Sequence, residues 1–210
     1  MVLLAVEFLI VFWVGPALFT FTRHRIPAIP ALWALLAYCL FVLLRNPRFD
    51  RKQLWDTSGF WQTAPAILSL FAPVVVSGVL LVLRYTPGTF LNLLRSNPLV
   101  WSLVMILYPL FSVYPQGIVY RVFIFSRYRA LFGPGWAIVL ASATTFAFVH
   151  IAFRSPLTLA LAFLGGLLFA IRYLQTGSLL ISSFEHALYG CAIFTIGLGR
   201  WFYYGAAPRG

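Results

Sequence analysis

The sequence predicts an all-α fold, a polytopic transmembrane bundle of seven to eight helices. Three observations carry that prediction. Of 210 residues, 62% are hydrophobic and only 9% are charged. Mean hydropathy is +0.93. The apolar residues also fall in runs of bilayer length, separated by short arginine-bearing loops. A soluble domain of this size needs more charge to solvate its surface. Inside lipid, backbone polar groups must be satisfied within the protein, and for runs of about 20 residues that means helices. One integral membrane domain, 1–210, accounts for the whole length.

Taken in order, spans are expected at about 2–21, 27–44, 65–83, 99–125, 135–153, 157–173 and 178–199. The first has no basic stretch ahead of it and carries Glu7 within it, which favours a retained helix over a cleaved signal peptide. The loops carry Arg23, His24 and Arg25, then Arg45 to Lys52, Arg84 to Arg95, Arg127 with Arg129, and Arg154. Trp55, Phe60 and Trp61 in the second loop read as interfacial anchors. Residues 88–95 suit a short surface helix. The run at 99–125 is too long for one straight span and contains Pro109 and Pro115, so a break near Pro115 is expected, which would raise the helix count to eight. Gln175-Thr176-Gly177 forms the turn into the last helix.

The net charge of +11 arises largely from those loop arginines, which meet lipid headgroups. Membrane lipids, and not nucleic acid, are therefore the expected partners. The basic residues divide evenly between the two sides, so the charge bias sets no orientation. Cys39 and Cys191 lie inside apolar segments, where they behave as small hydrophobes and not as a disulfide.

Chemistry is expected at four polar residues inside apolar segments: Arg121, His150, Glu185 and His186. Ionisable groups at bilayer depth cost roughly 2.5–3.5 kcal/mol each, so they face a protein interior or a water-filled cavity. Arg121 shares a helix face with Gly117, and Gln116 is the adjacent polar neighbour. Arg121 either snorkels to a headgroup or pairs inside the bundle. His150 follows Phe146 by one turn. His186 has Ser182, Ser183 and Gly190 as helical neighbours, a narrow small-residue stripe that lets another helix approach. Gly165 and Gly166 read as packing positions. Glu185 is the only carboxylate in the C-terminal two-thirds of the chain and points about 100° from His186. Arg121 is its expected cation; a chemical role and solvation in a polar vestibule are the alternatives. No metal and no cofactor are expected, because no His-Glu-x-x-His is present and adjacent Glu185-His186 cannot easily chelate from one helix.

On these residues the chain resembles the CAAX-processing and bacteriocin-processing family of glutamic-type intramembrane proteases. That family carries Glu-Glu-x-x-x-Arg, then Phe-x-x-x-His, then His-x-x-x-Asn or Asp on successive helices. Arg121 matches the first motif, Phe146 with His150 the second, and His186 the third. The run Thr176-Gly-Ser-Leu-Leu-Ile-Ser-Ser-Phe-Glu-His also resembles the family's entry into its last catalytic helix. The resemblance covers about 110–200 and implies a protease-like core at about 99–200. It departs at Gln116 and Gly117, which stand for both glutamates, and at Gly190, which stands for the final Asn or Asp.

What the resemblance implies is an intramembrane endopeptidase acting on a membrane-embedded or lipidated peptide or protein, multi-pass in the cell (inner) membrane. In such an enzyme His150 and Glu185 would activate water. His186 would donate to the oxyanion, and Arg121 would hold the helix register or the carboxylate. Gln116 cannot accept a proton as a general base does, and Gly117 has no side chain. A catalytically inactive pseudoprotease, acting as a membrane binding or immunity protein, is therefore the alternative. A transport path is the third reading.

Overall fold

The computed structural model describes residues 1–22 and 27–202. Arg23, His24 and Arg25 lie outside the described residues. Among those described, seven helices are long and apolar enough to cross a membrane. They are α1 Val2–Phe21, α2 Ala28–Arg45, α3 Phe60–Tyr85, α4 Pro98–Arg127, α5 Trp136–Phe153, α6 Pro156–Thr176 and α7 Leu179–Ile196. The protein is an integral, multi-pass membrane protein.

Helix boundaries follow local chemistry. Asn97, Ser155 and Ser178 each accept a first-turn backbone N–H, from Val100, Thr158 and Ile181 respectively. Pro98 and Pro156 follow two of these caps, where a missing N–H costs nothing. Gly177 closes α6 at φ +63°, donating its N–H to the Tyr173 carbonyl. That left-handed residue turns the chain straight back into α7.

The expected break near Pro115 does not occur: α4 runs unbroken for 30 residues. A π-helical turn, Pro109–Val113, lies just ahead of Pro115 and widens the backbone where the proline ring would clash. The same device precedes Pro16, at Ile10–Val14. Pro115 has no N–H for the Phe111 carbonyl one turn earlier, and the Trp33 indole of α2 donates to that oxygen at 3.0 Å. Two other expectations shift. Phe60 and Trp61 belong to α3, not to the loop before it, because that helix starts about a turn early. The expected surface helix resolves into a 3₁₀ turn, Pro87–Thr89, and a short helix, Asn92–Ser96.

α4 is the central strut. Residues 117–124 are all buried, unlike those of its outer half. α2, α5 and α7 pack around it, α6 packs on α5 and α7, and α3 packs on α7. Gly166 lets α5 and α6 close up, since a Cβ there would sit 3.1 Å from the Ala143 backbone. At one end of the bundle, Arg127 clasps Glu7 through two bonds of 3.1 and 2.8 Å, and Tyr128 donates to the same carboxylate at 2.9 Å. Glu7 thus ties α1 to the end of α4. The 46–59 loop is clipped over the same end. Tyr114 donates to the Leu54 carbonyl, Tyr173 to Gln53 and Ser178 to the Asp56 carbonyl. The Ser58 backbone N–H on the Asp56 carboxylate holds that group below the usual carboxylate range.

Candidate active site in the membrane bundle

A cavity of about 1120 Å³ opens within the α3–α7 half of the molecule. Leu70, Pro73 and Val74 of α3 and Leu161, Leu164 and Leu168 of α6 give it apolar walls. It extends to Thr86, Leu198 and Trp201 at the end opposite the clipped loop. Its polar groups are few. Tyr108, Ser112 and Gln116 succeed one another at four-residue spacing on α4, so they form one stripe along its face. Gln116 donates to the Ser112 hydroxyl at 2.9 Å. His150 comes from the end of α5, and His186 and Tyr189 from α7.

Phe146 is the hub of this site. Its ring centroid lies 4.9 Å from that of His150 and 5.4 Å from that of His186. The Arg121 guanidinium sits over the Phe146 ring at 4.3 Å and over Phe169 at 5.3 Å. His186 stacks on Phe169 with centroids 4.4 Å apart. Three of the four expected residues therefore gather around two phenylalanines. Arg121 is 1% exposed, and none of its three guanidinium nitrogens has a hydrogen-bond partner among the described residues. It does not snorkel. The faces of Phe146 and Phe169 offset part of its charge, an attraction worth about 2 kcal/mol when desolvated.

The His150 ring is fixed by its own helix. Its Nδ1 lies 2.7 Å from the Phe146 carbonyl, which can only accept, so Nδ1 carries the proton. The neutral ring then presents its Nε2 lone pair. No described residue hydrogen-bonds either nitrogen of His186.

Glu185 is placed elsewhere. It is fully buried and takes two bonds from Arg172, at 2.8 Å from Nε and 3.2 Å from Nη2. The expected Arg121–Glu185 pair is not formed, and Glu185 does not line the cavity. The hairpin at Gly177 is the cause: folding α7 back on α6 brings residues 172 and 185 face to face. Arg172 is not among the residues singled out from the sequence; its position five residues before Gly177 is the signal the sequence offers. Tyr108 was missed as well, although its spacing to Ser112 and Gln116 marks a polar stripe in an apolar run.

Two glycines decide what fits here. A Cβ at Gly117 would lie 2.5 Å from Leu179 Cδ1 and 2.9 Å from Ser183 Oγ, so α7 already occupies the space of any side chain at 117. A Cβ at Gly190 would collide with the Tyr108 ring and hydroxyl.

Residues 97–192 match a family model described as type II CAAX prenyl endopeptidase Rce1-like. That segment is similar to the Rce1-like family. The matched segment begins at the cap of α4 and ends in α7, so it carries Arg121, Phe146, His150 and His186 together. No curated protein and no solved structure matches the chain. The protein is therefore an integral membrane protein whose segment 97–192 resembles a membrane-protease family and builds one side of a largely apolar cavity.

Proposed function

We propose that the Rce1-like core binds a membrane-embedded or lipidated peptide in its cavity without hydrolysing it. One observation carries this reading: no carboxylate is among the described residues lining the cavity. The chain's remaining nearby carboxylate, Glu185, is neutralised by Arg172. Gln116 reaches the cavity but is a poor proton acceptor, and a side chain at 117 would have to displace Leu179 and Ser183. The apolar walls and the small polar patch suit an amphiphile whose tail lies among leucines and whose polar end meets His150, His186 and Gln116.

A second reading has a specific observation in its favour. The His150 Nε2 lone pair is free to take a proton from water. The water oxygen would add to a peptide carbonyl polarised by His186, and the proton would pass from His150 to the departing amine. Arg121 would position Phe146 and Phe169 in either case. Incubating the purified protein in nanodiscs with membrane-anchored peptides separates the two readings. Saturable binding without cleavage is expected. Cleavage that disappears in His150→Ala would replace the first reading with the second.

A further inference from the structure

Gly190 lies one turn beyond His186 on the same face of α7. The Tyr108 ring of α4 fills the space over it, perpendicular to His186 with centroids 6.4 Å apart. The Tyr108 hydroxyl therefore occupies the place into which a side chain at 190 would project. Both Tyr108 and His186 line the cavity, and neither the hydroxyl nor a His186 nitrogen has a hydrogen-bond partner among the described residues. Polar groups left unpaired at this depth are costly unless a ligand or water satisfies them. Behind them, the unpaired charge of Arg121 favours the negative end of a dipole.

We propose that Tyr108 donates a hydrogen bond to a carbonyl oxygen of the bound peptide, acting beside His186 in the space left by glycine at 190. This rests on the reading that the cavity binds such a peptide. A carbonyl oxygen has two lone pairs and can take both donors, whereas a hydrocarbon satisfies neither. Glycine at 190 gives α7 no side chain there, so the neighbouring helix supplies the donor, and the tyrosine ring and the glycine are complementary halves of one arrangement.

The test uses the full chain in nanodiscs and a short palmitoylated peptide, with a carbon-13 label at each backbone carbonyl in turn. Binding is titrated, and the infrared band of the label is read in the bound state. One label should move to lower wavenumber with the native protein. Tyr108→Phe keeps the ring, and should bind about fivefold more weakly with that band returned towards its free position. Tyr108→Ala/Gly190→Asn should restore the shift from the opposite helix. A Tyr108→Phe protein with native affinity or an unchanged band would overturn the proposal while leaving peptide binding intact. Absence of saturable binding by the native protein would instead overturn the cavity reading, and this inference with it.

Discussion

Phe146 does more for the site than either histidine beside it. Its carbonyl fixes the His150 tautomer, while its ring meets Arg121, His150 and His186. Arg121 is held there with no hydrogen bond from its guanidinium among the described residues, an arrangement that stability alone does not favour. Arg121→Met is accordingly expected to raise the midpoint of thermal unfolding in detergent, while disturbing ligand binding. A lower midpoint would show that the ring contacts outweigh desolvation. Position 117 gives the opposite result. Gly117→Ala forces Leu179 to move, and is expected to cost about 1–3 kcal/mol of stability. Gln116→Glu, whose side chain has the cavity to enter, should stay folded. Comparing the unfolding curves of these two neighbouring variants checks both expectations.

At the scale of the helix, the α6–α7 hairpin is tied by the Arg172–Glu185 pair, with Glu185 fully buried and Arg172 nearly so. Breaking it from one side leaves a charge unpaired. Glu185→Leu or Arg172→Leu alone is expected to lose about 3–5 kcal/mol, whereas the double substitution should recover most of that. A double-mutant cycle on unfolding free energies measures the coupling directly. This pair also shows where sequence reading stops. Composition and the lengths of the apolar runs sufficed for seven spans, with an eighth left open at Pro115, and the family resemblance implied that Arg121, His150 and His186 meet. The partner of Glu185 was not legible, because it depends on how the Gly177 turn sets the register of two antiparallel helices. Pro115 misled for a related reason. A proline in a sequence predicts a lost hydrogen bond, but not the π-turn upstream or the Trp33 indole that compensates for it. Removing that donor in Trp33→Phe should cost about 1 kcal/mol.

At the scale of the whole molecule, the described residues tie one end of the bundle together and leave the cavity to extend towards the other. The Glu7–Arg127–Tyr128 cluster and the clipped 46–59 loop hold one end, while the cavity runs between α3 and α6 towards the other. Leu161→Trp, which fills the apolar wall away from the polar patch, is expected to weaken peptide binding without lowering stability. The central proposal is that this protease-like core binds a peptide in a cavity with no carboxylate among its described lining residues, and does not hydrolyse it. The most direct measurement is the fate of a palmitoylated peptide held by the native protein in nanodiscs, followed by mass spectrometry over many hours. The account predicts saturable binding with the peptide recovered whole. Cleavage at a defined bond by the native protein, abolished in His150→Ala, would contradict it.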